Sequence, residues 1–202
     1  MRVLNQLSNF MSHHHPLFPV NLICQWQPAV KFDLPEHLLT WLLEPSSLTA
    51  KLKQHSQSFR VELLGQKVEP CHEIEANEII QSGDKVLVRE VLLYCDDIPQ
   101  VFARSLLPLS TLTNEEQQLA ELGTQPLGQV LFNSPSLERK NLELAYFDQN
   151  SSVANLVNSL SIEGSGCSKM WGRRSLFFIH KKPLMVAEVF LPGSYAYQQG
   201  LK

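Results

Sequence analysis

The feature that most constrains the fold is that strand-like apolar segments occur in pairs joined by short polar connections. The first pair is 85–95 with 101–109, and the second is 173–180 with 184–191. Each pair is bounded by turn-forming residues, which is typical of β-hairpins. A hairpin joins neighbouring antiparallel strands without a crossover helix. The pattern therefore predicts an antiparallel sheet and disfavours alternating βαβ units.

Two more segments alternate with period two, one starting at Phe59 and one over residues 141–146, and helical patterns lie between the strands. The first helix begins near Asp33 and ends before Pro45. Ser46 or Ser47 then caps a second short helix. A third short helix follows Thr113. We therefore predict an α+β fold. It consists of a single antiparallel β-sheet of about six strands, with helices covering one face.

The chain has 202 residues, which corresponds to one domain at roughly 100–200 residues per domain. Residues 1–32 contain Pro16, Pro19 and Pro28 and are predicted to form an N-terminal arm, leaving residues 33–202 as the domain. Residues 149–170 are rich in Ser, Asn and Gly, yet carry apolar residues from Val153 to Leu160 at helical spacing. We expect a mobile excursion there that contains a helical turn or two.

Charge and hydropathy exclude several classes of protein. Lys and Arg number 17 against 20 Asp and Glu, without a block of like charge, so a nucleic-acid partner is not expected. No segment approaches the ~18 consecutive apolar residues of a membrane-spanning helix, and the N-terminus lacks a secretory pattern, which predicts no membrane insertion and a cytoplasmic protein. The four cysteines form no CxxC pair, so reduced thiols are expected and no metal site.

Familiar catalytic motifs are missing. Residues 123–130 have the two-glycine spacing of a phosphate-binding loop, but Gln129 and Val130 stand where such a loop has Lys and Ser or Thr. The sequence also lacks the GxSxG, HExxH and GxGxxG patterns. These absences together favour cofactor-free chemistry or ligand binding.

Charged residues interrupt the most apolar strands. Arg89 and Glu90 lie on opposite, equally apolar faces of segment 85–95, and Glu188 is the only charge within residues 184–191. A buried, unpaired ion costs several kcal/mol, so Arg89 and Glu188 need partners. The pattern leaves two readings open: an internal ion pair or solvent-facing charge, or a site for a polar ligand.

Two other places carry charge near apolar residues. Arg104 alternates with Phe102 and Leu106 and is a further candidate for the site, against the alternative of an exposed charge at a sheet edge. Arg173 and Arg174 follow Trp171 at the start of a predicted strand. They fit either a solvated turn or an anion-attracting rim.

Five short segments between residues 33 and 192 occur in an order that resembles the chorismate pyruvate-lyase family. These segments are Leu43-Glu44-Pro45-Ser46-Ser47-Leu48-Thr49, Val88-Arg89-Glu90-Val91-Leu92-Leu93, Pro126-Leu127-Gly128 with Leu131-Phe132, Trp171-Gly172-Arg173-Arg174-Ser175, and Pro183-Leu184 leading to Glu188-Val189-Phe190-Leu191-Pro192. The resemblance implies conversion of chorismate to 4-hydroxybenzoate and pyruvate, the first step of ubiquinone synthesis, without metal or organic cofactor. It also implies an internal site beneath two flap-like helical excursions.

The resemblance further implies roles for individual residues. Arg89 would hold the ring carboxylate together with the backbone N–H of Leu48, and Glu188 with the backbone N–H of Leu127 would contact the ring oxygen at the opposite end. The planar donor fork of Arg suits a carboxylate. A carboxyl group among apolar side chains is a candidate proton donor or shuttle. Arg89 and Glu188 are therefore the candidate catalytic residues.

A second hypothesis is a non-catalytic domain that senses an aromatic carboxylate, since a related fold forms the effector-binding part of some transcription regulators. Such regulators usually carry a helix-turn-helix domain, and the 32 residues before the matched region are too few for one. We expect a monomer whose partners are the substrate chorismate and the product 4-hydroxybenzoate.

Overall fold

A computed structural model of the chain describes residues 14–162 and 169–199. The strands are β1 (Gln27–Pro28), β2 (Phe59–Pro70), β3 (Lys85–Cys95), β4 (Ile98–Pro108), β5 (Glu138–Phe147), β6 (Met170–Ile179) and β7 (Lys182–Phe190). The α-helices are α1 (Glu36–Leu42), α2 (Leu48–Gln54), α3 (Leu127–Phe132) and α4 (Ser152–Ser159), and short 3-10 helices cover Ala29–Lys31, Glu73–Glu75, Asn114–Ala120 and Tyr195–Tyr197. Within this part of the chain, no helix is long and apolar enough to cross a membrane.

The strands form one antiparallel sheet in the order β1-β5-β6-β7-β4-β3-β2, so the predicted α+β fold is confirmed. The described part of the sheet has seven strands where about six were expected. The additional strand, β1, consists of two residues that pair with β5, with Gln27 opposite Leu144. A strand of two residues, one of them a proline, is too short to show the period-two alternation by which the other strands were predicted.

The two central hairpins turn more tightly than the sequence suggested. Asp96 and Asp97 have φ of 49° and 61°, and His180 and Lys181 have φ of 48° and 64°. Two consecutive residues with positive φ form the two-residue turn that matches the twist of hairpin strands. As a result β4 begins at Ile98 and β7 at Lys182, earlier than predicted.

Alternation along β3 divides the apolar residues between two covered faces. On what we call the front face, Val91 and Leu93 pack with α1 and α2, and Leu87 packs with α3. On the opposite, back face, Leu92 and Tyr94 pack with α4 and with Val20 and Leu22 of the N-terminal segment. The sheet therefore has helices on both sides, and the prediction that helices cover only one face is wrong. Cover on both sides explains why both faces of β3 are apolar.

The described part of the N-terminal segment is held on the back face by backbone contacts. The His15 N–H donates to the Leu64 carbonyl at 2.7 Å, and the Val20 N–H donates to Glu90 Oε2 at 2.8 Å. A register shift between Leu63 and Gly65 lies at this contact. The Phe18 ring occupies the space beside Gly65, where a Cβ would come within 2.3 Å of it.

The segment that was expected to be a mobile excursion contains helix α4. Ser151 caps this helix by accepting from the Ala154 N–H at 3.2 Å, and Val153 and Leu156 are fully buried. The predicted helical spacing is thus confirmed for residues 152–159. Residues 163–168 lie outside the described part of the chain, and the expected mobility stays a prediction.

Candidate active site

The front face and helices α2 and α3 enclose a small cavity of about 40 Å³. Its floor is formed by β3, β4, β6 and β7, and the first residues of α2 and α3 close it from above. The two β4 residues in this floor, Ala103 and Ser105, are small and buried, which leaves space above the middle of the sheet. Its charged lining residues are Arg89, Arg173 and Glu188.

Arg89 is a buried cation without an acidic partner among the described residues. Arg89 is 1% exposed. Its Nη2 donates to the carbonyl oxygens of Gly123 and Gln125 at 2.9 and 3.0 Å. Its Nε is buried and has no hydrogen-bond partner. Burial lowers the pKa of Arg89 to about 10, which still leaves it protonated at neutral pH. The site thus offers a charged donor to an anion.

The loop that carries these two carbonyl groups depends on a glycine. Gly123 has φ of +53°, a left-handed conformation that glycine adopts without steric cost. The conformation allows the chain to turn between Leu122 and α3 and to present both carbonyls to Arg89. The 123–130 segment, excluded above as a phosphate-binding loop, therefore holds an arginine side chain.

Glu188 pairs with Arg173, a residue that lies directly opposite it on the neighbouring strand. The Arg173 Nε donates to Glu188 Oε2 at 2.7 Å, with side-chain exposures of 3% for Arg173 and 19% for Glu188. An Arg89–Glu188 ion pair, one of the two readings left open, is not formed. Glu188 is a paired carboxylate, and Arg89 retains donors for a ligand.

Arg173 also ends helix α1. Its Nη1 donates to the carbonyl oxygens of Trp41 and Glu44, both at 3.1 Å, and contacts that of Leu42 at 3.4 Å. The last carbonyls of a helix have no intrahelical donor, and a cationic side chain satisfies them. The reading of Arg173 as part of a solvated turn is therefore wrong, because the residue lies inside β6 and is buried.

Sequence reasoning named Arg173 only in the alternative of an anion-attracting rim and did not choose it as a site residue. The signal that would have found it is the register of β6 against β7, which places Arg173 opposite Glu188. Register is a property of the strand pair, and the one-residue difference between Arg173 and Arg174 decides which of them faces the cavity.

Leu48 and Leu127 are the first residues of α2 and α3, and both line the cavity. N–H groups in the first turn of a helix have no intrahelical acceptor. The neighbouring cap Ser47 accepts from the Ala50 N–H at 3.3 Å. Within the described chain, neither leucine N–H has a hydrogen-bond acceptor. Both amides are therefore available to a ligand.

Arg104 is not part of this cavity, contrary to its selection as a substrate-binding candidate. Its neighbours in β4, Ala103 and Ser105, face the cavity, so Arg104 lies on the back face. There it donates to Glu75 at 2.6 and 2.8 Å and to Glu90 at 2.7 Å. Its side chain is 2% exposed, so the alternative of an exposed edge charge is wrong as well. Arg104 belongs to an internal ion-pair cluster that also holds Glu90.

Arg89 and Glu188 lie two strands apart and are offset by two residues along the sheet. The register places Arg89 opposite Ser105 and Glu188 opposite Ala103. With strands about 4.8 Å apart and a rise of about 3.4 Å per residue, their Cα atoms are roughly 12 Å apart. The two side chains therefore extend over a common apolar floor from opposite ends. Among the described residues, no cluster of His, Cys, Asp or Glu could hold a metal ion.

The fold resembles that of two solved structures, one of which is described as the ligand-binding domain of a putative regulator. The structure of PhnF from Mycobacterium smegmatis matches with a TM-score of 0.52 at 14% identity, over 73% of this chain and 64% of that one. The ligand-binding domain of a putative GntR-family regulator from Bordetella bronchiseptica matches with a TM-score of 0.51 at 15% identity, over 73% and 91% of the two chains. At such low identity these matches show the fold alone.

Sequence comparison identifies the family. Two relatives described as probable chorismate pyruvate-lyases are those of Psychromonas ingrahamii, 46% identical over 80% of this chain and 86% of the relative, and of Photobacterium profundum, 41% identical over 96% and 98%. The family model described as chorismate lyase matches residues 21–201. With nearly the whole chain matched and the cavity built from the segments that carry the resemblance, this chain belongs to the chorismate lyase family.

Proposed function

We propose that this protein converts chorismate to 4-hydroxybenzoate and pyruvate in the front-face cavity. The observation that carries this proposal is that Arg89, buried and without an acidic partner among the described residues, shares a cavity with Glu188. Membership of the chorismate lyase family supports the same reaction. An aromatic acid with an oxygen atom opposite its carboxylate has the polarity that this arrangement requires.

Arg89 binds the ring carboxylate of the substrate. Its guanidinium carries a donor without a partner, and a charge-assisted hydrogen bond to a carboxylate would remove the cost of that burial. The unpaired N–H of Leu48 supplies a second donor to the same carboxylate. Because only the amide is used, the side chain at position 48 is free to vary in shape.

Glu188 and the Leu127 N–H contact the oxygen at the opposite end of the ring. In the reaction, the bond between the ring and the enolpyruvyl oxygen breaks, and one hydrogen leaves the adjacent ring carbon, so that the ring becomes aromatic. The protein fixes the substrate geometry, excludes water and stabilises charge on the departing oxygen. Glu188 takes this proton or relays it to the departing enolpyruvate, which leaves as pyruvate.

The substrate reaches the site when α2 and α3 separate. A cavity of about 40 Å³ is far below the roughly 300–1,000 Å³ of pockets that hold drug-sized ligands and is too small for chorismate. The helices meet at Gly128, where a Cβ would lie 3.3 Å from Thr49 Oγ1. The two helices act as the flaps that the family resemblance implied.

Incubation of the purified protein with chorismate alone tests the proposal. We expect equimolar 4-hydroxybenzoate, measured by chromatography, and pyruvate, measured with lactate dehydrogenase and NADH. A sample without protein gives the spontaneous rate. Formation of both products at only the spontaneous rate would contradict the proposed function.

The alternative of a sensing domain is not favoured. The likeness to regulator domains lies at 14–15% identity and shows a shared fold, whereas the lyase relatives are 37–46% identical. Binding of 4-hydroxybenzoate without turnover of chorismate would favour the sensing role. Cytoplasmic location is a further prediction of the sequence, tested by fractionation of cells that express the protein.

A further inference from the structure

The substrate of the proposed reaction has a second carboxylate that Arg89 does not reach. Chorismate carries one carboxylate on the ring and another on the enolpyruvyl ether, which is attached to the ring carbon next to the one that bears the hydroxyl group. If Glu188 contacts that hydroxyl, the enolpyruvyl group lies beside Glu188. The residue that pairs with Glu188 is Arg173.

Arg173 has an unused donor at the cavity. Its Nε donates to Glu188 and its Nη1 donates to the end of α1, while its Nη2 makes no hydrogen bond to any residue of the described chain. Nη2 shares an edge of the guanidinium with Nε, so it lies on the side of the carboxylate of Glu188. The residue lines the cavity and is 3% exposed.

The charges around the cavity also exceed what a single carboxylate would neutralise. The lining has two arginines, Arg89 and Arg173, against one acid, Glu188. A third arginine, Arg139, donates to Ser175 Oγ at 2.8 Å and to the Glu44 carbonyl at 2.6 Å. Among the described residues it forms no ion pair with an acid. Its pKa is lowered to about 10, mainly by burial and to a smaller extent by repulsion from Arg173. The lining residues alone carry a net charge of plus one, and Arg139, which is close enough to repel Arg173, adds a further positive charge behind the lining.

We propose that Arg173 binds the carboxylate of the enolpyruvyl group and thereby selects a substrate with two carboxylates. This inference rests on the proposed function and deepens it, since it assigns the half of the substrate that leaves as pyruvate. Arg89 and Arg173 then hold the two carboxylates at separate points, which fixes the breaking ether bond relative to Glu188. The product 4-hydroxybenzoate lacks the second carboxylate and does not use Arg173 in this way.

Two ligands that cannot react separate this role from a purely structural one. 3-(Carboxymethoxy)benzoate has a ring carboxylate and, on an ether, a second carboxylate. The ether is attached to the ring carbon that carries the enolpyruvyl ether in chorismate. 3-Methoxybenzoate has the ether but lacks the second carboxylate. Their dissociation constants are measured by calorimetry with the unmodified protein and with Arg173→Gln and Arg173→Lys. We expect Arg173→Gln to weaken binding of the dianion by about 10- to 100-fold and that of 3-methoxybenzoate by less than about threefold. Arg173→Lys keeps the charge and should lie between.

Arg174→Gln is the matched control. Arg174 is the next residue of β6, and its Nε is paired with Glu143 at 2.7 Å away from the cavity, so the preference for the dianion should be unchanged. Equal weakening of both ligands in the two Arg173 variants would overturn the proposal and show that Arg173 only holds Glu188 and α1. Because neither ligand turns over, this result is independent of the chorismate assay, and loss of turnover in that assay would not by itself overturn the role of Arg173.

Discussion

At the scale of single residues, the site is built from charges that are expensive to bury. Arg89 makes two hydrogen bonds to carbonyl groups and has no acidic partner in the described chain, so its desolvation is only partly offset. Arginine tolerates this position because its ordinary pKa is high enough that it stays charged even when burial lowers it to about 10. The buried charge lowers the stability of the ligand-free protein but leaves a donor for the ligand, as at many active sites.

Replacement of Arg89 should therefore separate binding from stability. In Arg89→Gln we expect the affinity for 4-hydroxybenzoate to fall by about 10- to 100-fold, because a charge-assisted hydrogen bond is lost. The thermal midpoint of the ligand-free protein should be unchanged or higher, because an unpaired charge leaves the interior. Calorimetric titration and thermal unfolding measure the two effects. An unchanged affinity would remove Arg89 from the site.

Glu188→Gln should affect turnover more than binding. The amide keeps the shape of the side chain but cannot take a proton, so we expect kcat to fall by about 100-fold and the dissociation constant of 4-hydroxybenzoate to change by less than about threefold. Glu143→Gln is the control, since Glu143 also pairs with an arginine of β6 at 2.7 Å but lies outside the cavity. Equal kcat values for Glu188→Gln and the unmodified protein would exclude Glu188 from the mechanism.

At the scale of secondary-structure elements, the closed cavity depends on how α2 and α3 meet. Lys53 of α2 donates to Gln129 of α3 at 3.0 Å on the outside, and Gly128 lies against Thr49 on the inside. The two helices are short, with seven and six residues. Short helices gain most of their stability from packing, so the contact between α2 and α3 decides how far the cavity is closed.

A larger residue at position 128 should prevent the flaps from closing. In Gly128→Val the Cβ alone would lie 3.3 Å from Thr49 Oγ1, so the two methyl groups would push the helices apart. We expect kcat/KM for chorismate to fall by about 10-fold, because water would enter an imperfectly closed site. Gln129→Ala removes only the exposed contact with Lys53 and should stay within about twofold of the unmodified protein. Unchanged kinetics in Gly128→Val would show that close contact between the helices is not required.

The 3-10 helix Asn114–Ala120 is held to the β6–β7 turn by one acidic residue. Lys182 donates to Glu116 Oε2, and the ring of His180 pairs with its Oε1 at 2.6 Å. The hydrogen bond from Lys182, assisted by that from His180, lowers the pKa of Glu116 to about 2 from its ordinary value of 4.5. The contact joins two elements that are distant in sequence.

The contact predicts a defined acid response. Because the folded-state pKa of Glu116 is depressed, its stabilisation is fully present above about pH 4.5 and is lost as the pH falls through about 2. In Glu116→Gln, the free energy of unfolding should therefore change less between pH 4.5 and pH 2, as measured by urea unfolding at each pH. Glu121→Gln, at an exposed and unpaired acid of the described chain, should retain the slope of the unmodified protein. The same slope in all three proteins would refute the prediction.

At the scale of the whole molecule, the sheet has two edges that are both poor templates for another chain. At one edge β1 has two residues. At the other, β2 carries a register shift beside Gly65 and ion pairs between Arg60 and Glu62 and between Lys67 and Glu69. Irregular, charged edge strands disfavour pairing between molecules.

We therefore predict that the protein is a monomer. Light scattering coupled to size exclusion should give a mass near 22.9 kDa that does not change over a wide range of protein concentration. Because the described cavity is built from β3, β4, β6, β7, α2 and α3 of one chain, activity per molecule should also be independent of concentration. A mass that doubles with concentration would contradict the prediction.

Local features could be predicted from the amino-acid sequence: hairpins between consecutive strands, short helices bounded by Ser47 and Pro45, and charges placed inside apolar strands. These follow from periodicity and from turn and cap residues, which act between neighbours in the chain. That is why Arg89 and Glu188 could be selected before their positions were known. Their assignment to a carboxylate and a ring oxygen came from the family resemblance.

The tertiary structure alone decided which charges meet. Arg104 and Arg173 both lie inside strands of the sheet, yet one lies in a back-face cluster with Glu75 and Glu90, and the other pairs with Glu188 in the cavity. The difference arises from strand order and register, which depend on hydrogen bonds between segments distant in sequence. A shift of one residue moves a side chain to the other face, so no pattern within a single strand can reveal its partner.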